Sequence, residues 1–446
     1  MEDRLRITVS GIRGKVPGSL NVDITSRFAS AFASYLEQGS LILGRDNRIT
    51  SQMLAMAALS SSMAAGLDIQ DYGLLPTPFL QFLLARNQAA GGISVSGGHN
   101  PLPWNAVILL GETGTYLEEN EGAEVFNVYE AGSFQKAAWN RLGKVTTASF
   151  PLDDYMHTLS NQVDAGLIQK SKFKVVADPC NGAVSPFLKQ FGDNFGIEMI
   201  IINDDPEKPF PHQPEPSPDN SAQVEAVVKA TGSDLGILFN SDGSRLSLVT
   251  EKGKGLSEEL TLPLSILSLQ GRIRQAVSTV ATSSWVDWAG KQAGVKIRRT
   301  RVGQSAVSQV MQAEEASLGG EGSGSLAFLP VSPGYDALTA FILILQLLAI
   351  REEPLSEIAG AFPELHRRKL KIPVSPVRVY GLMDRLEEMY APEKPDTTDG
   401  IRVDRGSLWF IIRPSSTEFI LRIMIEGKDE DEVEAAENEI RERVEP

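Results

Sequence analysis

The sequence predicts an α/β protein built from several similar units, closed by a C-terminal α+β module. Helical and strand patterns alternate along most of the chain, as they do where helices cover mainly parallel sheets. Glycine-rich polar turns interrupt the apolar strands in three comparable places. From about Leu370 the pattern changes to successive strands with a closing helix. With 446 residues, the chain is roughly two to four times an ordinary domain.

Taken in order, "ITSRFASAFASYLEQ" reads as an amphipathic helix, "SLILGRD" as an apolar strand, "SQMLAMAALSSSMAAG" as a helix and "GGISVS" as a strand. This first unit is expected to span residues 1–147. A second, 148–252, opens with the helix "LDDYMHTLSNQV". The strand "FKVVADPCNG" turns into the helix "AVSPFLKQFG", and "IEMIIIND" is the next strand. "DDPEKPFPHQPEPSPDN" is a proline-rich excursion expected to hold no regular structure. The helix "SAQVEAVVKATG" follows, then a strand, "DLGILFNSDGSRLSLV", that breaks at a polar turn and resumes. The third unit, 253–365, carries "AVSTVATSS", "SWVDWAGKQAG" and "VKIRRTRVG" as strand, helix and strand, then "GGEGSGSLAF". The module 366–446 has strands "KLKIPVS", "GIRVDRGSLWFIIRP" and "FILRIMIEG" and a last helix, "DEDEVEAAENEIRERV".

Bulk properties narrow the function. Hydrophobic residues at 42% and charged residues at 22% are the balance of a soluble globular protein. A net charge of −15 disfavours nucleic acid and acidic membrane surfaces, while a local arginine cluster can still hold a small anion. Cys180 is the only cysteine, which excludes an internal disulfide and a thiolate metal cage. "MEDRLRITVSGIRG" has no apolar signal core, so a cytoplasmic protein is expected. "ALTAFILILQLLAI" is too short to span a membrane and contains Gln346; it reads as a buried helix.

Candidate chemistry sits in polar loops. "SVSGGHNPLPWNAVILL" runs a buried strand into a loop that offers an imidazole and an amide but no carboxylate, thiol or good nucleophile. "SGIRGK" sets Arg13 between glycines, and "FNSDGSR" gathers Asn240, Asp242, Ser244 and Arg245. The latter is either a cation-binding turn or a simple Asp-Gly turn, since Mg²⁺ prefers more than one carboxylate. "GGEGSGS", with Glu321 and Ser323, is equally consistent with a site loop and a flexible surface loop. "IIRPSSTE" combines Arg413 with Ser415, Ser416 and Thr417. A guanidinium fork beside three hydroxyls suits a phosphate, and a capped turn is the alternative.

In this order, "SGIRG", "GRDNR", "LLPTP", "GGHNP", "WNA", "FNSDGSR", "GGEGSG" and "RPSSTE" resemble the phosphohexomutase superfamily over essentially the whole chain. The spellings "PWNA" and "GGEGSGS" are most similar to the archaeal-type phosphoglucosamine mutase and phosphomannomutase/phosphoglucomutase branch. The resemblance implies a four-domain, heart-shaped α/β architecture around a cleft, with three similar domains and a fourth that closes on substrate. It also implies transfer between the 1- and 6-positions of a hexose phosphate through a phosphoserine, assisted by Mg²⁺ and by no organic cofactor.

Carried over residue by residue, the resemblance divides the site. The family's phosphoserine falls on Gly98, which has no atom to phosphorylate. His99, Asn100 and Pro101 match. The family's acid/base lysine falls on Ile108, which cannot exchange a proton. The three metal aspartates fall on Asn240, Asp242 and Ser244, leaving one carboxylate and an expectation of weak or absent Mg²⁺ binding. Arg245 is retained with fewer negative neighbours. Arg13, Glu321, Ser323, Arg413, Ser415 and Thr417 match recognition positions, and Ser416 stands where glycine is common. The expectation is a protein that binds a hexose phosphate with phosphoryl transfer lost or severely impaired. The alternatives are a mutase with rearranged chemistry, in which Ser96 would accept the phosphate, and a structural subunit paired with an active paralogue. A homodimer is also compatible with the sequence.

Overall fold

The computed structural model describes residues 4–8, 10–415 and 419–444. Three α/β units share one construction principle. In each, parallel strands end in an antiparallel partner, and the turn joining the two carries a polar loop. In the first sheet the neighbours run Arg6–Thr8, Gly11–Lys15, Trp104–Gly111, Gly91–Val95, Ser40–Arg45, Asp68–Leu74 and Val145–Thr147. Gly91–Val95 is parallel to Ser40–Arg45 and antiparallel to Trp104–Gly111, so residues 96–103 form the turn. The second sheet repeats this with Leu235–Phe239, parallel to Lys174–Asp178 and antiparallel to Leu246–Thr250 around residues 240–245. In the third, Leu318–Glu321 is parallel to Gln275–Thr279 and antiparallel to Ser325–Phe328 around 322–324. Antiparallel partners can be joined by a short turn, which is why each polar loop sits at the end of a buried strand.

The C-terminal module is wholly antiparallel, in the order His366–Pro373, Ile420–Gly427, Leu408–Pro414, Ile401–Asp404. "GIRVDRGSLWFIIRP" is therefore two strands, not the single strand expected. The backbone turns at Arg405, whose N–H donates to the carbonyl of Leu408. The alternating apolar pattern continues across this tight turn and hides it.

One apolar core runs through the first three units, from Ile42 through Phe79, Phe191 and Leu264 to Phe362. The C-terminal module has its own core around Leu386, Phe410, Ile423 and Ile440. It meets the third unit through a smaller cluster of Val280, Trp409, Ile411 and Met424. The helix Ala337–Arg351 lies in the shared core and is buried from Ala337 to Ala349, as its all-round apolar sequence requires. Its one amide is fully used: Gln346 accepts from the Asp164 N–H at 2.8 Å and donates to the Ser268 carbonyl at 3.1 Å. Asp336 caps its first turn, accepting from the N–H groups of Leu338 and Thr339. Among the described residues, no helix is long and apolar enough to cross a membrane.

Candidate functional site

The loop after Gly91–Val95 is shaped by a buried ion pair. Arg48 Nε lies 3.0 Å from Asp46 Oδ2, with both side chains out of contact with water. Two buried charges need further partners to offset desolvation, and these have them. Arg48 donates to the carbonyls of Gly98 (2.7 Å), Asn100 (2.6 Å) and Trp104 (3.1 Å). Asp46 accepts from Ser51 Oγ (2.5 Å), Ser96 Oγ (2.9 Å) and the Gly97 N–H (3.1 Å). The guanidinium presses so closely on the loop that a β-carbon on residue 97 would lie 2.4 Å from Arg48 Nε, which explains Gly97. The Asn100 side chain is spent within the same loop, donating to the Gly97 carbonyl at 2.7 Å.

Gly98 follows in the left-handed region, at φ +55°. A β-carbon there would stand 3.3 Å from Asp242 Oδ2, so the first and second units bring their two loops together at this point. Ser241 Oγ donates to the Gly98 carbonyl at 2.7 Å and fastens the two. Ser96 Oγ is buried; it donates to Asp46 and accepts from the Gly98 N–H at 3.0 Å. It is thus built into the loop's own bonding. Ile108 is buried in the strand Trp104–Gly111, directly opposite Gly11.

The second loop closes on itself. Asp242 Oδ1 accepts from Asn240 Nδ2 (2.8 Å), Ser244 N–H (3.1 Å) and Ser244 Oγ (2.6 Å). Its Oδ2 stands 3.4 Å from both Thr77 Oγ1 and Ser96 Oγ. The residues at the two lost carboxylate positions have become donors to the carboxylate that remains. Among the described residues, no group of three or more His, Cys, Asp or Glu side chains is arranged to hold a metal ion.

Arg245 has an anionic neighbour from outside its own loop. Its Nη1 pairs with Glu215 Oε1 at 2.5 Å, and Glu215 Oε2 lies 3.8 Å from His99 Nε2. Glu215 comes from the proline-rich excursion, which is irregular apart from the single 3₁₀ turn Pro218–Asn220. That excursion is anchored by His212, whose Nε2 meets Asp178 Oδ2 at 3.2 Å and whose Nδ1 meets the Gln213 carbonyl at 2.8 Å. Burial alone would lower His212, but hydrogen bonds to Asp178 and Cys180 raise it to about 10, so it is an imidazolium at neutral pH.

His99 is the opposite case. Burial, then the positive charges of Arg245, Arg13, Arg422 and Arg48, hold it well below its ordinary value, and it is neutral at pH 7. Burial also lowers Arg13, against the nearby Tyr116 and Asp242 and with the charges of Arg245 and Arg6. These interactions bring arginines of the first, second and C-terminal units near His99. Arg422 was not singled out in the sequence. It faces Arg413 directly across the pair Leu408–Pro414 and Ile420–Gly427. Like charges in that position are unfavourable unless an anion joins them.

In the third unit, Glu321 Oε1 accepts from the Gly303 N–H at 2.9 Å, and Ser323 Oγ lies 3.1 Å from Ser325 Oγ. Burial, then the Glu321 charge, raises Tyr335 well above its ordinary value. Arg413 Nε lies 3.3 Å from Asp399 Oδ2, and the Ser415 N–H donates to the Ile420 carbonyl. Ser416 and Thr417 lie outside the described residues.

Four family models match the chain in sequence. They are phosphoglucomutase/phosphomannomutase α/β/α domains I (residues 5–136), II (153–253) and III (262–365), and the C-terminal domain (377–443). A Pyrococcus horikoshii protein named "Probable phosphoglucosamine mutase" is 30% identical over 435 residues, covering 95% of this chain and 94% of that protein. A phosphoglucomutase/phosphomannomutase family protein from Burkholderia thailandensis superposes with a TM-score of 0.82 at 23% identity, covering 98% of this chain and 97% of that one. A serine-to-alanine variant of Aspergillus fumigatus N-acetylphosphoglucosamine mutase, solved in complex with glucose 1,6-bisphosphate, superposes with a TM-score of 0.59 at 14% identity, covering 99% and 95%.

Proposed function

Since this chain belongs to the phosphoglucomutase/phosphomannomutase family, we propose that it binds a hexose phosphate in its cleft without passing the phosphoryl group through the protein. The observation that carries the reading is the junction of Gly98 with Asp242. The position that would bear the phosphoryl group has no side chain, and a β-carbon there would face a lone carboxylate at 3.3 Å. The other oxygen of that carboxylate already accepts from Asn240 and Ser244.

The same donor set does not fit Mg²⁺. A divalent cation of this kind needs several hard oxygen ligands, and here two of the side chains bring N–H or O–H donors that satisfy Asp242 from within. No step is therefore assigned to a metal. Proton transfer has no replacement at Ile108, and Ser96 has its hydroxyl committed on both sides. What the chain keeps is recognition. Arg13, His99 and Arg245 line one end of the cleft, Glu321 and Ser323 the sugar position, and Arg413 with Ser415 the phosphate position. A guanidinium beside hydroxyl and backbone donors gives charge-assisted bonds to a phosphate, worth about twice a neutral one. The Aspergillus fumigatus variant supports this reading, because that relative holds a sugar bisphosphate with one of its serines removed.

The test is titration calorimetry with glucose 1,6-bisphosphate and glucose 6-phosphate, in buffer containing EDTA. Saturable binding is expected, weakened about tenfold or more by Arg413→Ala, which removes a charged partner. Absence of binding by any hexose phosphate overturns the proposal.

A further inference from the structure

We propose that Asp399 is a positioning residue that couples the phosphate loop of the C-terminal module to the sugar loop of the third unit. The inference rests on the binding reading above and deepens it. Asp399 immediately precedes the C-terminal hairpin, and its side chain is largely buried. Its Oδ2 accepts from the Val302 N–H at 2.9 Å, a contact across the boundary between the two domains. The same oxygen lies 3.3 Å from Arg413 Nε.

The next N–H along, that of Gly303, donates to Glu321 Oε1 at 2.9 Å. Two successive amides of one dipeptide therefore hold two carboxylates, one from each domain. The dipeptide leads into the helix Gln304–Ala313, for which Gly303 is the N-cap. The partial positive charge of that helix end favours both carboxylates. Moving Asp399 away from Val302 uncouples this turn from the C-terminal module, and the turn is what fixes Glu321.

Arg413 supplies the second half of the argument. Its Nε is buried and makes no hydrogen bond among the described residues, although Asp399 stands at ion-pair distance. The carboxylate thus orients the guanidinium from its inner edge without consuming the terminal nitrogens that suit an oxyanion fork. Phosphate on Arg413 and a sugar on Glu321 consequently draw on one continuous connection, Arg413–Asp399–Val302–Gly303–Glu321.

The experiment compares wild type, Asp399→Asn and Asp399→Ala by calorimetry, with glucose 1,6-bisphosphate and with inorganic phosphate. The bisphosphate is expected to lose about tenfold or more in affinity in Asp399→Ala, with Asp399→Asn between the two because it keeps an acceptor for Val302. Inorganic phosphate draws only on the Arg413 half of the connection and should lose less than the bisphosphate. In a double-mutant cycle, Glu321→Gln and Arg413→Lys should be coupled in wild type and additive in the Asp399→Ala background. A proportional loss for both ligands, or coupling that persists without Asp399, overturns the inference. Native-state hydrogen exchange gives an arm independent of any ligand. Asp399→Ala should deprotect Val302 and Gly303 together, whereas loss at Val302 alone overturns the inference. If wild type binds no hexose phosphate, the binding reading fails by itself, and this exchange result still decides the connection.

Discussion

Restoring a serine at position 98 should not restore a phosphoenzyme. In Gly98→Ser the new β-carbon would stand 3.3 Å from Asp242 Oδ2, in a backbone held at φ +55°. The left-handed conformation costs an L-residue about 1–2 kcal/mol, which stability measurements should detect. Phosphorylating that serine would place two negative charges about 5 Å from the carboxylate. At an effective dielectric constant of about 20 the repulsion is roughly 7 kcal/mol. Even halved by solvent and by the donors on Asp242, it lowers phosphoserine occupancy by a few hundred-fold, at about 1.4 kcal/mol per tenfold. In a metal-binding loop a cation would offset this term, but here Asn240 and Ser244 supply donors instead of ligands. The assay is incubation of Gly98→Ser with glucose 1,6-bisphosphate and Mg²⁺, read by intact-protein mass spectrometry. No gain of a phosphoryl group is expected. Stoichiometric phosphorylation of that serine would refute the electrostatic reasoning.

Rebuilding the metal loop with Asn240→Asp and Ser244→Asp should make the melting temperature rise with Mg²⁺, by the linkage of native-state binding to stability, while wild type stays unresponsive. An equal Mg²⁺ response in wild type would show that Asp242 alone suffices. His212 gives a pH signature. Its raised value, about 10 against 6.5 when unfolded, contributes stability that is full below 6.5 and is lost as pH rises through about 10. His212→Gln should therefore melt below wild type by a margin that is widest in acid and closes in base. A margin independent of pH would remove the imidazolium from the account.

The parts that were legible in the sequence are those governed by local pattern. The helix Ala337–Arg351 was readable because an all-round apolar face belongs in a core, and Gln346 marked the one place where that core needs a donor and an acceptor. The polar loops were readable because glycine and short polar side chains break apolar strands where antiparallel partners turn back. The family resemblance then located Gly98, Ile108 and the altered metal loop. What stayed hidden depends on contacts between distant segments. Glu215 has no motif of its own, and only folding of the proline-rich excursion brings it to Arg245 and His99. Arg48 stood in a recognised motif, but its role in shaping the loop that ends at Trp104 follows from a buried ion pair that no spacing reveals. Asp399 and Val302 meet only because the C-terminal module docks on the third unit. The hairpin at Arg405 was missed for the opposite reason, since local alternation was too regular to betray a turn.

The central claim is recognition without transfer, and turnover tests it most directly. Phosphorus NMR would follow the 1-phosphates of glucose, mannose and glucosamine with the purified protein, Mg²⁺ and glucose 1,6-bisphosphate as primer. The account predicts that no 6-phosphate resonance appears above a mock-purified control. Formation of a hexose 6-phosphate in proportion to added protein would contradict it.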